Sequence, residues 1–175
     1  MIHATLCFVL RQTTRGQQVL LGLKKRGFGA GKVNGFGGKL LPGESPRAAM
    51  SRELLEECRL TVAPTSFEQR GLLVFRFPSA PHHDHRVRVY TASCFDGSPV
   101  ETDEMKPEWH PLAGIPLARM WDDDALWLPP VLKGHTVVGR FFFSEDNESV
   151  VRYRLWVSPE PATTSECSDS ISFAR

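Results

Sequence analysis

The sequence contains no C-x-x-C pair; its four cysteines, Cys7, Cys58, Cys94 and Cys167, lie far apart, and no histidine cluster completes a metal pattern with them. That excludes the common zinc-site spacings. Cys7 and Cys58 sit in apolar-patterned segments and read as buried free thiols. No apolar run is long enough to span a membrane. The N-terminal apolar stretch is interrupted by Arg11, Gln12, Thr13 and Thr14, which argues against a secretory signal. A reducing, soluble compartment is expected: the cytoplasm, with nucleus or mitochondrion as alternatives. Charge of one sign is also missing. The formal net charge is +1, so the whole molecule has no field suited to a nucleic-acid polymer. Two phosphate motifs are absent as well. Lys32 is followed by Val33 and Lys39 by Leu40, so there is no G-x-x-x-x-G-K-[ST]. The Gly27-x-Gly29 and Gly35-x-Gly37 pairs lead to Lys32 and Leu40, so there is no G-x-G-x-x-G.

What is present suits one domain with a sizeable core: 175 residues, 41% hydrophobic and 23% charged. Residues 1–60 hold ten Lys and Arg against four Glu. Such a basic surface suits a small polyanion such as a triphosphate, and an ordinary solvated face explains it equally well. Residues 4–10 and 18–24 predict a hairpin turning at Gly16. Six glycines between 27 and 38 predict an ordered loop flanking a short strand. Ser45-Pro46 predicts a helix start, with helix over 46–58. Strands are predicted at 70–77 and 86–95 around a polar loop at 81–85. A helix follows Asp122, Asp123 and Asp124, and a second hairpin spans 136–143 and 149–157. The segment from 158 to 175, rich in Ser, Thr and Pro, is expected to be a disordered tail. The whole predicts a mixed α/β domain over 1–157.

The decisive segment is GKLLPGESPRAAMSRELLEECRL, from Gly38 to Leu60. On a helix Glu53, Glu56 and Glu57 stand at i, i+3 and i+4 and share one face, within an arc of roughly 100°. Leu54, Leu55, Ala48 and Cys58 would cover the sheet-facing side. Three carboxylates on one face repel one another unless a cation is present, and Mg²⁺ takes oxygen ligands while bridging to phosphates. Arg52 beside them could orient a glutamate or meet a phosphate. A lone E-x-x-E-E is more often a solvated acidic face. Here, however, Gly38, Glu44, Arg52, Glu53, Leu54, Glu56, Glu57 and Leu60 fall on every slot but one of G-x5-E-x7-R-E-U-x-E-E-x-G-U, where U is bulky and apolar. The segment thus resembles the box of the Nudix hydrolases. Arg59 occupies the slot where that pattern has Gly. A left-handed Arg costs on the order of 1 kcal/mol, so the helix exit is where a departure is expected.

Residues 20–40, 97–109 and 115–129 extend the likeness to the animal-type MutT branch of that family. The resemblance implies an α/β/α sandwich around a mixed sheet. It implies Mg²⁺-dependent hydrolysis, with Mn²⁺ as a substitute, of oxidised purine nucleoside triphosphates such as 8-oxo-dGTP and 2-hydroxy-dATP to monophosphate and pyrophosphate. A monomer acting on small nucleotides, with no membrane or nucleic-acid polymer as partner, is expected. Other Nudix substrates, such as methylated purine triphosphates or nucleotide sugars, and a nucleotide-binding module without turnover are the competing readings.

By position, the resemblance makes Glu56 and Glu57 the main metal ligands, supported by Glu53, the Gly38 carbonyl and Glu104. Glu53, Glu57 and Glu104 all remain candidates for activating water. Lys24 is implied to face phosphate, against the reading of an ordinary strand lysine. Asn34 is implied to read the base edge through its donor and acceptor, against a turn role before Gly35. Asp123 and Asp124 are implied to read the base as a pair sharing one proton. Helix capping would explain one of them. Trp121, Trp127, Phe28, Phe75 and Thr5 are implied pocket walls, although aromatics are more often core. Asp122 stands where the family usually has Pro, and Val33 where it usually has Trp.

Overall fold

A computed structural model describes residues 1–159. The predicted tail therefore lies outside the described residues, apart from its first two. Eight strands form one sheet. They are β1 (Ile2–Thr13), β2 (Gly16–Lys24), β3 (Val33–Asn34), β4 (Glu68–Arg76), β5 (His85–Ala92), β6 (Met105–Pro111), β7 (Thr136–Phe143) and β8 (Val150–Ser158). The order is β2-β1-β5-β4-β7-β8, with β3 and β6 both on β2. β1 runs parallel to β5 and β4 parallel to β7, while the other pairs are antiparallel, so the sheet is mixed.

Strand alternation divides the apolar residues between two layers. Phe8, Leu10, Val19, Leu21, Val87 and Val89 face α2 (Asp124–Leu132), packing with its Trp127, Leu128 and Val131. Cys7, Val9, Leu20, Tyr90 and Ala92 face α1 (Pro46–Cys58), packing with its Met50, Leu54 and Cys58. One helix on each face gives the predicted sandwich. Cys7 and Cys58 are buried free thiols, as expected. No helix among the described residues is long and apolar enough to cross a membrane.

α1 forms where its signals place it. Ser45 Oγ accepts from the Ala48 N–H at 3.2 Å, and Pro46 opens the helix. Its sheet-facing side differs from the predicted one. Ala49, Met50, Leu54, Cys58 and also Glu57 are buried, whereas Ala48 and Leu55 are exposed. The apolar stripe is rotated by about one position, because the interface runs through Met50 rather than Leu55. The exit is the expected test of Arg59. At φ 63° and ψ 20° it adopts the left-handed conformation, and its N–H donates to the Leu55 carbonyl at 3.2 Å. The helix thus ends as a Gly would end it, with a strained Arg.

The strand β6 was not visible in the sequence. It carries Pro107 and Pro111, which usually interrupt a strand, and they are accommodated because β6 pairs only with β2.

Candidate active site

A cavity of about 560 Å³ opens on the α2 side of the sheet. Thr5, Lys24, Phe28, Asn34, Gly38, Phe75, Glu104, Trp121, Asp123, Asp124 and Trp127 all line it. These residues come from β1, β2, β3, β4, α2 and the loops between them, so the fold gathers positions scattered over most of the chain.

One end of the cavity is set by the glycine-rich segment. Gly37 lies flat against β1, where an added Cβ would run into the Thr5 carbonyl. Its N–H is thereby aimed at α1 and donates to Glu57 Oε2 at 2.8 Å. A Cβ on Gly38 would overlap the Glu53 carboxylate. These two glycines let the backbone approach the acids of α1. The three glutamates are graded in depth: Glu57 is 3% exposed, Glu53 is half-buried and Glu56 is exposed. Burial pushes Glu57 up to about 7; the Gly37 N–H and Lys24 oppose this, and Glu53 and Glu104 add to it. Burial likewise raises Glu53, against the pull of Arg52. Arg52 donates to Glu44 and Glu53 at 2.8–2.9 Å and to Glu56 at 3.1 Å, fixing three carboxylates with one guanidinium.

Glu104 reaches this end because its loop is tied down from two sides. Thr102 Oγ1 donates to the Glu57 carbonyl at 3.0 Å and accepts from the N–H groups of Glu104 and Met105. From the loop after β2, Lys25 pairs with Glu101 at 2.9 Å and Arg26 pairs with Glu104. Much of the N-terminal basic excess is therefore structural, while Lys24, Arg26 and Lys39 line the cavity. Among the described residues, no three metal-ligating side chains converge into a closed cage. The acids are spread around the Gly37–Gly38 backbone.

The other end is acidic in a different way. Asp123 and Asp124 are buried, at 3% and 2% exposure. Asp124 accepts from the Trp121 N–H at 3.0 Å, and Asp123 accepts from Trp127 Nε1 at 2.6 Å. Asp123 stands at the cap of α2 but makes no capping hydrogen bond with its side chain. Burial raises Asp123 to about 6 and, together with the neighbouring Asp123 charge, lifts Asp124 well above the ordinary carboxyl range. Asp122 takes a separate task. Its carboxylate accepts from the Val150 N–H at 2.8 Å and anchors the start of β8. Asn34 ends β3 rather than standing in a turn; its Oδ1 accepts from the Gly35 N–H at 2.8 Å, and the amide lines the cavity wall. Thr5 Oγ1 is buried with no hydrogen-bond partner, a cost that a polar ligand atom would remove.

The aromatic wall is larger than the sequence suggested. Phe28 stacks on His83 at 4.1 Å and on Trp121 at 5.2 Å, and Phe77 meets its edge at 5.3 Å. Phe77, His83, His85 and Phe143 all line the cavity and were not singled out from the sequence. The P-H-H-D-H loop marked two of them, but only as polar residues between strands. Val33, which replaces a bulkier family residue, is buried in the core below β2.

The chain belongs to the Nudix family, whose NUDIX domain matches residues 2–131. Within that family it is similar to the oxidized purine nucleoside triphosphate hydrolase of Mus musculus, 42% identical over 139 residues, covering 79% of this chain and 86% of that protein. The protein of the same name from Danio rerio is 43% identical over 138 residues, again 79% and 86% of the two chains. Among solved structures, the mutator MutT protein from Bacillus halodurans superposes with a TM-score of 0.73 at 26% identity, covering 92% of this chain and 100% of that one. Nudix hydrolases generally need divalent metal ions.

Proposed function

We propose that the chain hydrolyses oxidised purine nucleoside triphosphates to the monophosphate and pyrophosphate, with Mg²⁺ as the preferred ion. The observation that carries this reading is one cavity with two unlike acidic ends. At one end Glu104 lines the cavity beside Lys24, with Glu57 and Glu53 behind the Gly37–Gly38 backbone, and at the other a buried, proton-holding acid pair lies beside Asn34 and an aromatic wall. The first suits a triphosphate and the second a purine whose edge has gained a donor or acceptor by oxidation.

The residues fit the ion. Glu53, Glu56, Glu57, Glu104 and the Gly38 carbonyl offer only hard oxygens, and the burial that raises Glu57, to which the Glu53 and Glu104 charges add, is what a dication would offset. Bound there, it would neutralise phosphate charge and lower the pKa of a water. Arg52 keeps Glu53 and Glu56 oriented, and Lys24 meets phosphate oxygens. Glu57, poised near neutrality, suits a proton acceptor, with Glu53 and Glu104 still in competition for that task.

At the base end, close acids cannot both ionise cheaply, so one keeps its proton at neutral pH. The pair then presents one donor beside acceptors. Moving the proton between Asp123 and Asp124 exchanges donor for acceptor, which would accommodate differently oxidised purines. Phe28 and Trp121 stack on the ring, and Asn34 meets its other edge. The protein works as a cytoplasmic monomer on this reading.

The test is turnover of a nucleotide panel with Mg²⁺: oxidised, plain and methylated purine triphosphates and a nucleotide sugar, with products separated by chromatography. The reading requires 8-oxo-dGTP or 2-hydroxy-dATP to lead, with pyrophosphate released. Preference for a methylated purine or a nucleotide sugar, or binding without release, would overturn it.

A further inference from the structure

Trp121 lines the cavity beside the acid pair and is only half-buried, so groups outside the core share in fixing its ring. Two segments remote in sequence close on it. From the glycine-rich loop, Gly29 at φ 83° lies so near that an added Cβ would stand 3.0 Å from the indole. Lys32, in the same loop, places its Nζ over the Trp121 ring, 4.7 Å from the centroid. That ammonium group also donates to Glu148 Oε2 at 2.7 Å. Glu148 belongs to the β7–β8 turn, where its own N–H donates to Asp146 Oδ1 at 2.9 Å. The bond from the Val150 N–H to Asp122, next to Trp121, ties the same turn a second time.

The backbone of Lys32 is held as firmly as its side chain. Its N–H donates to the Gly29 carbonyl at 3.1 Å, and its carbonyl accepts from the Lys24 N–H at 2.9 Å. Its side chain is 21% exposed against 60% for Glu148. A pair with one end in water contributes little to stability by itself. A partly desolvated ammonium over an indole does more, because the ring face is negative. Lys32 itself does not line the cavity. It therefore acts on a bound base through Trp121 and not by contact. Its charge reaches the acids as well. Burial sets Asp123 and Asp124 high, the charge of a neighbouring aspartate adds to this at each, and Lys32 opposes it at both.

We propose that Lys32 is a positioning residue for base recognition: anchored by Glu148, it holds the Trp121 ring at the cavity wall and supplies a cation to the acid pair. This rests on the base-reading role given above to Trp121, Asp123 and Asp124.

The test compares Lys32→Met, Lys32→Arg and the charge-swapped K32E/E148K with the parent, all as the full chain. With 8-oxo-dGTP and Mg²⁺, Lys32→Met should raise KM about three- to tenfold and leave kcat within about twofold. Lys32→Arg keeps a cation over the ring and should restore KM. K32E/E148K re-forms the tie between loop and turn but takes the cation off the indole. Its melting temperature should match the parent while KM stays raised. A second readout needs no substrate. Trp127 Nε1 donates to Asp123, so the NMR resonance of that indole N–H reports ionisation of the pair. Its pH midpoint in the ligand-free protein should rise by about half a unit in Lys32→Met and stay in place in Lys32→Arg. The proposal is overturned if Lys32→Met keeps the parent KM, if kcat falls as much as KM rises, if KM recovers together with stability in the swap, or if the midpoint does not move. A parent that turns over no oxidised purine triphosphate would instead sink the proposed function, and the indole midpoint would still decide whether Lys32 acts on the acids.

Discussion

Acids stand at both ends of the cavity, Glu53 and Glu57 behind the Gly37–Gly38 backbone and Asp123 and Asp124 in the wall itself, and their neighbours differ. At the α1 end, Glu53, Glu56 and Glu57 run from half-buried to exposed to buried, with Arg52, Lys24 and a backbone N–H beside them. Burial raises Glu57 and Glu53 there, and Lys24, Arg52 and the Gly37 N–H oppose it. At the α2 end, Asp123 and Asp124 are sealed among Trp121, Trp127 and core side chains, and burial rather than pairing governs them. Burial raises carboxyl groups at both ends, with Arg52 and the Gly37 N–H opposing it at one and a neighbouring aspartate adding to it at the other. Depth and neighbours decide the outcome, not residue type.

If this division is right, variants at the two ends should fail differently. The largest effect is expected for Glu57→Gln: turnover of every nucleotide should fall by at least about 100-fold while discrimination among nucleotides persists. Steady-state kinetics across the panel reads this directly, and a selective loss for oxidised purines alone would erase the contrast. Asp124→Asn should instead cost roughly ten- to a hundredfold in kcat/KM for 8-oxo-dGTP and much less for plain dGTP.

The same variant carries a stability signature. Burial raises both aspartates above the ordinary carboxyl range, Asp123 to about 6, so ionising them in the fold is unfavourable. Their contribution to stability is complete below about pH 4, where they are neutral folded and unfolded, and is lost as pH rises through about 6. Asp124→Asn should therefore raise the melting temperature at pH 7.5 and leave it nearly unchanged at pH 4. A gain of equal size at both pH values would show that the acid pair is not held protonated by the fold.

Smaller effects sharpen the comparison. Asn34→Ala should raise KM for 8-oxo-dGTP up to about tenfold with little change in kcat, while plain dGTP is less affected. Equal losses for both would reduce Asn34 to its local hydrogen bond with the Gly35 N–H. Arg59→Gly should stabilise the chain by about 1 kcal/mol, worth about 2–4 °C in melting temperature, without altering turnover. A drop in stability would mean that the Arg59 side chain makes up for its backbone strain.

The legibility of these parts was uneven. The carboxylate helix could be read because its chemistry is local. Glu53, Glu56 and Glu57 share a face through helical periodicity, and Ser45, Pro46 and the glycines bracket them in sequence. The hairpins showed through alternation and turn residues. β6 did not, since its prolines suit a strand only where one side needs no pairing. The rotated stripe of α1 was missed because Leu55 and Leu54 look alike in sequence, and only packing against Cys7 and Phe36 chooses between them. The wall formed by Phe77, His83, His85 and Phe143 was missed because its members lie on the β4–β5 loop, β5 and β7 and meet only in the fold, where Phe77 stacks on Phe143 at 4.7 Å.

By itself the sequence determined the elements whose causes lie within one or two turns of chain: the capped helix, its acid spacing, the glycine run and the strand alternation. Tertiary structure alone decided what those groups face. It buried Glu57 and exposed Glu56, and it buried Asp123 and Asp124 in the cavity wall. Desolvation and cross-strand register act between residues remote in sequence, and no local pattern records them.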